Sequence, residues 1–192
     1  MLSLSKPLIL ASNSPRRQQL LHELGFDFIV KVRPTDEAFP AELVTTEVPS
    51  FLARQKAEQF RIDLKNELIL CADTVVVIDG EILNKPSNES EAKAMLQRLS
   101  NQTHQVITGI CLMSHDSIQT ITDIAEVHFR ALSEAEIDYY IKNYKPFDKA
   151  GAYGIQEWIG MVGIESIKGS YFTVMGLPTH KAYQLLKPYL LA

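Results

Sequence analysis

The sequence predicts an α/β protein in which helices flank a mixed, twisted β-sheet. Short apolar runs typical of buried strands alternate with amphipathic segments typical of helices along nearly all of the 192 residues. Hairpin signals and strand-to-helix crossovers are both present, and this combination indicates parallel and antiparallel neighbours in one sheet. A chain of this length suffices for one core and is short for two, so we expect a single domain over residues 1–192.

The first elements follow one another as strand, tight loop and helix. Residues 8–11 form an apolar run that predicts a buried strand. Ser14-Pro15 is an N-cap and first-turn signal for a helix that ends near Leu24-Gly25. We predict a second helix over 48–60 and a second buried strand over 68–72.

The middle of the chain contains a hairpin and a capped helix. Asp79-Gly80 separates the apolar runs 75–78 and 81–83, which is a hairpin signal. Asn88 with Glu91 three residues later predicts the start of a helix. The remaining predicted elements are strands over 106–113 and 120–129, a helix over 133–144, short strands over 161–164 and 171–174, and a last helix after Pro178.

Composition excludes several classes of protein. Lys and Arg total 19 against 23 for Asp and Glu, a net charge of −4, so the chain lacks the basic field of a protein that coats polymeric nucleic acid. Its apolar stretches reach about ten residues, whereas a helix that crosses a membrane needs about 20. Cys71 and Cys111 lie in apolar runs without CxxC spacing, and the first residues lack the apolar core of a signal peptide. We therefore predict a cytoplasmic protein with no membrane partner.

The first candidate site directly follows the first predicted strand and contains Ser12, Ser14, Arg16 and Arg17. A helix that begins there offers free backbone N–H groups and the positive end of its dipole, and two arginines in its first turn are unfavourable unless an anion is bound. The segment is either a solvated turn or a phosphate cradle. It is not a P-loop, because the GxxxxGK(S/T) pattern is missing.

Lys56 and Asp73 are two further candidates. Lys56 shares a helical stripe with Leu52 and Phe60, so its ammonium group either reaches solvent or points into a pocket. Asp73 follows the apolar run 68–72, where it could bind a metal, accept a proton from water, or simply form a turn with Thr74.

Two loops complete the set of candidates. Lys85 follows the hairpin and adds a cation, while the Asp36-Glu37 pair could ligate a hard cation or be solvated. The small-residue loop 148–156 ends at Gln156, whose amide suits the N3–H and O4 edge of uracil or thymine or could satisfy the loop's own backbone. The five histidines are scattered without zinc-ligand spacing.

Taken together, these segments resemble the Maf family of nucleoside triphosphate pyrophosphatases from residue 8 to the final helix. Six separated blocks in the same order make the resemblance specific. The blocks are Leu10-Ala11-Ser12-Asn13-Ser14-Pro15-Arg16-Arg17 with the Asp36-Glu37 pair, Ala53-Arg54-Gln55-Lys56-Ala57, Ala72-Asp73-Thr74-Val75-Val76, Lys85-Pro86, Asp148-Lys149-Ala150-Gly151-Ala152-Tyr153-Gly154-Ile155-Gln156, and Gly169-Ser170-Tyr171 with Val174-Met175-Gly176-Leu177-Pro178.

The resemblance implies an inosine triphosphate pyrophosphatase-like fold with two lobes around a cleft. It implies that water attacks the α-phosphorus of a nucleoside triphosphate and releases pyrophosphate. The form of the 148–156 loop resembles the branch that acts on dTTP and UTP. By the same resemblance Asp73 is the proton acceptor, and Arg16, Thr74 and Gln156 influence substrate choice.

The resemblance and the residue types together define an expected site. Preorganised cations stabilise the charge that develops on the leaving pyrophosphate, and a divalent cation, Mg²⁺ or Mn²⁺, would neutralise more of it. The expected catalytic residues are Asp73, Lys56 and Lys85; the expected substrate-binding residues are Ser12, Ser14, Arg16, Arg17, Thr74 and Gln156; the expected metal ligands are Glu37 and Asp73. The departures from the family pattern are Asn13 and the Glu157-Trp158 pair that follows Gln156.

Three rival hypotheses remain at this point. The chain could be a nucleotide-binding regulatory protein of cell division and septum formation, or the same type of enzyme acting on a modified purine triphosphate. A single-strand RNA binder needs aromatic platforms, whereas Tyr139, Tyr140 and Tyr144 have the spacing of the core and surface of one helix.

A homodimer would be ordinary for a soluble enzyme of this size.

Overall fold

The computed structural model describes residues 2–191 and contains seven strands and seven α-helices in that range. The strands are β1 (Leu8–Leu10), β2 (Ile29–Val30), β3 (Leu68–Ile78), β4 (Glu81–Leu83), β5 (Thr103–Met113), β6 (Ile118–Phe129) and β7 (Ile164–Lys168). The helices are α1 (Pro15–Glu23), α2 (Val48–Glu58), α3 (Glu89–Leu99), α4 (Glu134–Tyr144), α5 (Trp158–Gly163), α6 (Tyr171–Met175) and α7 (Thr179–Leu186). Short 3₁₀ turns cover Ala150–Ala152 and Lys187–Tyr189.

The strands form one mixed sheet in the order β2-β1-β3-β5-β6-β7, with β4 paired to β3. Strand β1 is parallel to both β2 and β3, and β4 and β7 pair antiparallel with β3 and β6. The crossover from β1 to β2 includes α1, as parallel pairing requires, whereas β3 and β4 are joined by the predicted Asp79-Gly80 turn. The predicted fold class is confirmed.

The signals at the helix starts are also confirmed. Ser14 and Asn88 are N-caps whose side chains accept hydrogen bonds from the backbone, and Ser133 forms a full capping box with Glu136. These caps satisfy backbone N–H groups that a helix leaves without partners at its first turn.

Two predictions near the end of the chain were wrong. Residues 161–164 fall mainly in α5, and residues 171–174 belong to α6, while the strand of this region is β7 between them. Apolar runs of four residues fit a buried helical turn as well as a strand. The backbone at Gly163 packs closely against the Phe129 ring, because a Cβ added to Gly163 would lie 2.9 Å from that ring.

Strand β3 is longer than predicted. Asp73 and Thr74 were expected just after the end of a strand, but β3 continues through both residues without interruption. The neighbouring strand β1 does stop, since Leu10 pairs with Leu70 and no ladder continues beyond that pair. Asp73 therefore lies past the carboxyl end of β1, within a strand that the apolar residues 75–78 prolong.

The chain divides into two compact units. The first comprises residues 1–73, 108–123 and 176–192, and its core packs α2 on β3 and β5 through a cluster that includes Ala53, Ala57, Phe60, Ile69, Cys71 and Cys111. The second comprises residues 74–107 and 124–175, and its core packs α3 and α4 on the sheet through a cluster that includes Val76, Leu96, Val106, Val127, Ile137 and Tyr140. Both cysteines are buried free thiols, as predicted.

No helix within residues 2–191 combines the length and the apolar character that a membrane crossing requires.

Candidate active site

Lys56 forms ion pairs with Asp73 and Glu37, the two carboxylates that the sequence predicts as metal ligands. Its Nζ lies 2.6 Å from Oδ1 of Asp73 and 2.7 Å from Oε1 of Glu37. The side chains of Lys56 and Asp73 are 19% and 13% exposed, whereas that of Glu37 is 55% exposed. Of the two alternatives for Lys56, the structure selects the inward one: its ammonium group pairs with the mostly buried Asp73 and with the half-exposed Glu37.

Secondary structure places this cluster. Asp73 extends from β3 beyond the end of β1, and Lys56 projects from α2, whose Ala53 and Ala57 are fully buried. Helix α2 can approach β5 closely because Gly109 has no side chain; a Cβ there would lie 2.2 Å from the backbone nitrogen of Ser50. The small residues of α2 and β5 thus bring the lysine to the carboxylate.

The protonation of Lys56 reflects two opposing effects. Desolvation by burial lowers its pKa, but the ion pairs and hydrogen bonds to Asp73 and Glu37 outweigh burial, so that the pKa lies above its usual value. Lys56 is therefore a cation at neutral pH and is suited to hold an anionic oxygen.

The loop between β1 and α1 is tightly ordered by its own side chains. Ser12 Oγ accepts hydrogen bonds from the Ser14 backbone nitrogen at 3.2 Å and from Arg17 at 3.4 Å. Ser14 caps α1 by accepting from the backbone nitrogen of Arg17 at 3.5 Å. The guanidinium Nε of Arg17 donates to the carbonyl of Gly176 at 2.8 Å. These hydrogen bonds fix the loop in one conformation.

Arg17 adds positive charge beside the acidic residues. Burial lowers the pKa of its guanidinium, while Asp73 and Glu37 act in the opposite direction and the neighbouring Arg16 lowers the pKa further. Arginine remains charged through such shifts. Arg16 and Arg17 thus add two cations to the first turn of α1, where the helix dipole already favours an anion.

The second unit brings together three of the predicted elements. Thr74 directly follows Asp73 in β3. Strand β4 is antiparallel to β3 and Val76 pairs with Leu83, so the same register continued by two residues places residue 85 opposite residue 74. Asn84 accepts a hydrogen bond from the backbone nitrogen of Gly151 at 3.2 Å, so the glycine loop lies next to Lys85. Lys85 itself is exposed.

Gln156 is exposed directly after a buried stretch of its loop. Residues 151–155 are all buried, and Gly151 adopts a left-handed conformation with φ of +67° against Val76. An exposed amide can donate to and accept from a ligand, and the role of Gln156 in binding a base stays a prediction.

The two carboxylates fit a divalent cation only as a partial ligand set. Within residues 2–191, no group of three or more His, Cys, Asp or Glu side chains is arranged to hold a metal ion. Glu37 and Asp73 nevertheless converge on one ammonium nitrogen, which shows that both reach a single cationic position. Mg²⁺ commonly takes one or two protein carboxylates and completes its shell with water and substrate phosphates. The pair fits that pattern.

Two residues that hold parts of the chain in place, one in each compact unit, were not predicted from the sequence. Arg33 holds the segment that carries Glu37, since it donates to the Gln59 carbonyl at 2.7 Å, pairs with Asp63 and stacks 4.7 Å over the Phe60 ring. Lys149 is 7% exposed in the glycine loop. A lysine within a run of small residues was the only available signal for it.

The family assignment follows from comparison with known proteins. The model of the family described as Maf-like protein matches residues 7–189. The chain belongs to the Maf family. This confirms the resemblance inferred from the sequence blocks.

Close relatives within the Maf family share about half of their residues with this chain. The protein named dTTP/UTP pyrophosphatase of Phocaeicola vulgatus is 50% identical over 94% of both chains. The protein of the same name from Flavobacterium psychrophilum is 51% identical over 93% of this chain and 92% of its own. Among solved structures, the Ham1 protein of Staphylococcus aureus aligns at 16% identity with a TM-score of 0.49, covering 65% of this chain and 72% of that one.

Proposed function

We propose that this Maf protein is a hydrolase that converts dTTP and UTP into the nucleoside monophosphates and pyrophosphate. The observation that carries the proposal is the buried pair of Lys56 and Asp73, 2.6 Å apart, in a chain about 50% identical to proteins named dTTP/UTP pyrophosphatase. A cation and a carboxylate in contact supply the two things that hydrolysis of a phosphoanhydride needs: stabilisation of phosphate charge and a proton acceptor for water.

The phosphates are bound by positive charge. Arg16, Arg17 and the N-terminus of α1 form one part of that charge, and Lys56 and Lys85 contribute further cations. Attack on the α-phosphorus moves negative charge onto the leaving pyrophosphate, so cations fixed in advance lower the barrier more than mobile ones. Ser12 and Ser14 shape the loop and offer hydroxyl groups to the phosphates.

Asp73 orients and deprotonates the attacking water. Its side chain is mostly buried but not sealed, and Lys56 fixes one of its oxygens. Binding of the substrate phosphates competes for the same ammonium group, which brings the carboxylate, the phosphate and the lysine into one charge network.

Glu37 and Asp73 would hold a divalent cation, either Mg²⁺ or Mn²⁺. Such an ion, when bound, neutralises phosphate charge and lowers the pKa of a bound water. The exposed Glu37 carboxylate can turn from Lys56 to the ion, because half of its side chain is already in solvent.

Gln156 selects the pyrimidine. Its amide can donate to O4 and accept from N3–H, a pair of groups that uracil and thymine share and cytosine lacks. Thr74 and Arg16 contribute to the choice of substrate. In the cell the activity would remove surplus or modified pyrimidine triphosphates, a house-cleaning role in the cytoplasm, and a homodimer remains a prediction of the sequence.

A turnover screen tests the proposal. Purified protein with Mg²⁺ is incubated with each standard triphosphate and a set of modified ones, and pyrophosphate and monophosphate are quantified. We expect dTTP and UTP to be the best standard substrates. Release of orthophosphate would overturn the reaction type, and tight nucleotide binding without turnover under any metal would support the regulatory hypothesis instead.

A further inference from the structure

We propose that the hydroxyl group of Tyr140 fixes the turn that presents Gln156 and thereby sets the discrimination between pyrimidine bases. Tyr140 acts through Gln156 and does not itself contact substrate, so it is a positioning residue. This inference rests on the proposed function, in which Gln156 contacts the base.

Gln156 occupies the tip of a four-residue turn. The backbone nitrogen of Glu157 donates to the carbonyl of Gly154 at 3.0 Å, which closes the turn. Ile155 is buried at 6% exposure, so one of the two central residues anchors the turn while the other, Gln156, faces solvent. The direction of the Gln156 amide therefore depends on how firmly the two ends of the turn are held.

Tyr140 holds both ends with a single oxygen atom. Its hydroxyl accepts a hydrogen bond from the backbone nitrogen of Gly154 at 3.0 Å and donates one to the carboxylate of Glu157. Tyr140 is fully buried on α4, and burial together with the hydrogen bond to Glu157 raises its pKa. The hydroxyl thus stays protonated and remains a donor at neutral pH.

A buried ion pair supports the same carboxylate. The second oxygen of Glu157 lies 3.1 Å from Nζ of Lys149, whose side chain is only 8% exposed, and Nζ also contacts Asp148 at 2.7 Å. The ion pair thus connects Lys149, near the start of the loop, with Glu157, the residue directly after Gln156. A buried charge with matched partners is costly to rearrange, which favours one conformation of the loop.

Gly154 lets this network close over the turn. A Cβ at this position would lie 2.9 Å from Cδ of Glu157 and 3.1 Å from Cε of Lys149. The side chains of the ion pair occupy the space that any other residue would fill. The arrangement of Tyr140, Glu157 and Lys149 thus depends on a glycine at residue 154.

A fixed amide discriminates better than a mobile one. A base with the wrong edge must leave Gln156 unpaired when the amide cannot turn away, whereas a mobile amide can reach solvent or rotate to suit cytosine. Loss of the Tyr140 hydroxyl should therefore reduce discrimination more than it reduces the chemistry itself.

The test compares Tyr140→Phe with Tyr139→Phe. The control removes the same atom from the adjacent residue of α4, which is 49% exposed and packs its ring on Trp158. The measured quantity is kcat/KM for dTTP divided by kcat/KM for dCTP. Any loss of folded protein cancels in this ratio, because both substrates meet the same folded fraction.

We expect Tyr140→Phe to lower the ratio about five- to tenfold through a higher KM for dTTP, the size of effect that one hydrogen bond supports. Tyr139→Phe should leave the ratio unchanged. Glu157→Gln keeps an acceptor for Tyr140 but loses the ion pair, so a smaller decrease in the same direction is expected; this variant decides the question if Tyr140→Phe does not fold.

Gln156→Ala distinguishes the positioning role of Tyr140 from the base contact of Gln156 itself. A wild-type ratio in Tyr140→Phe and Glu157→Gln, alongside a lowered ratio in Gln156→Ala, would overturn the positioning role and leave the proposed function intact. A wild-type ratio in Gln156→Ala would overturn the inference through its premise. Absence of turnover in the wild-type enzyme would instead overturn the proposed function.

Discussion

The ammonium nitrogen of Lys56 lies 2.6 Å from Oδ1 of Asp73, although 17 residues separate them in the chain. One partner comes from helix α2 and the other from the middle of strand β3. Because both side chains are mostly buried, their charges interact more strongly than a pair on the surface would.

Asp73→Asn should reduce kcat for dTTP by about 10²- to 10⁴-fold, the usual contribution of a general base. The amide keeps the shape of the side chain but cannot accept the proton of water. Steady-state kinetics measures the loss, with Asp116→Asn as the control because Asp116 is exposed and pairs with the adjacent His115. An unchanged kcat in Asp73→Asn would contradict the role of Asp73.

Lys56→Met should lower the free energy of unfolding by about 1–3 kcal/mol at neutral pH, because Asp73 and Glu37 are left facing each other without a cation. The pKa of Lys56 is raised in the folded protein, so its stabilising effect is complete below the usual value of 10.5 and is lost as the pH rises through the folded pKa. The gap in unfolding free energy between wild type and variant should therefore be constant from neutral pH to about pH 10 and shrink above it. A gap that widens at high pH would contradict this assignment.

Glu37→Gln should raise the Mg²⁺ concentration needed for half-maximal activity severalfold, because one of two proposed carboxylate ligands is neutralised. The melting temperature should change little, since the Glu37 side chain is 55% exposed. Glu42→Gln is the matched control in the same exposed segment. An identical Mg²⁺ dependence in wild type and Glu37→Gln would remove Glu37 from the metal site.

Gly109→Ala should destabilise the protein by about 3 kcal/mol or more, because the new methyl group would overlap the backbone of Ser50 and push α2 from β5. Gly80→Ala is the comparison: Gly80 has a left-handed backbone conformation, with φ of +78°, but no atom lies within 4 Å of a Cβ added to it. It should cost only about 1–2 kcal/mol of backbone strain. Chemical denaturation measures both, and equal losses would show that the contact with Ser50 is unimportant.

His104→Phe should make the protein less sensitive to mild acid. Burial lowers the pKa of His104 from 6.5 to about 4, so between these values the unfolded chain binds a proton that the folded chain does not. Acidification therefore favours unfolding, by about 2 kcal/mol at pH 5. Phenylalanine keeps the stacking on Phe129 but loses the 2.7 Å contact with Tyr153.

Thermal melts at pH 7 and pH 5 decide this last prediction. The fall in melting temperature between the two values should be smaller in His104→Phe than in the wild type. Other acidic groups titrate equally in both proteins and cancel in the comparison. An equal fall would show that His104 is protonated as readily in the folded as in the unfolded chain.

Most of the fold was predictable because local signals are strong where the elements are long or capped. The N-cap serines and Asn88 locate the starts of α1, α3 and α4, and the Asp79-Gly80 turn locates a hairpin. The errors at 161–164 and 171–174 lie in runs of four apolar residues, where no period can be measured and packing decides between strand and helix.

The sequence by itself determined the family, the mixed α/β architecture and the identity of the charged residues, since each of these depends on residue types and their order along the chain. Only the tertiary structure decided which of these residues lie close together. The ammonium group of Lys56 points inward, where Asp73 and Glu37 pair with it. The hydroxyl of Tyr140 accepts a hydrogen bond from the backbone of Gly154, two residues before the exposed Gln156. Partners this far apart in sequence leave no local pattern, because their contact depends on how α2 packs on the sheet and how α4 packs on the glycine loop.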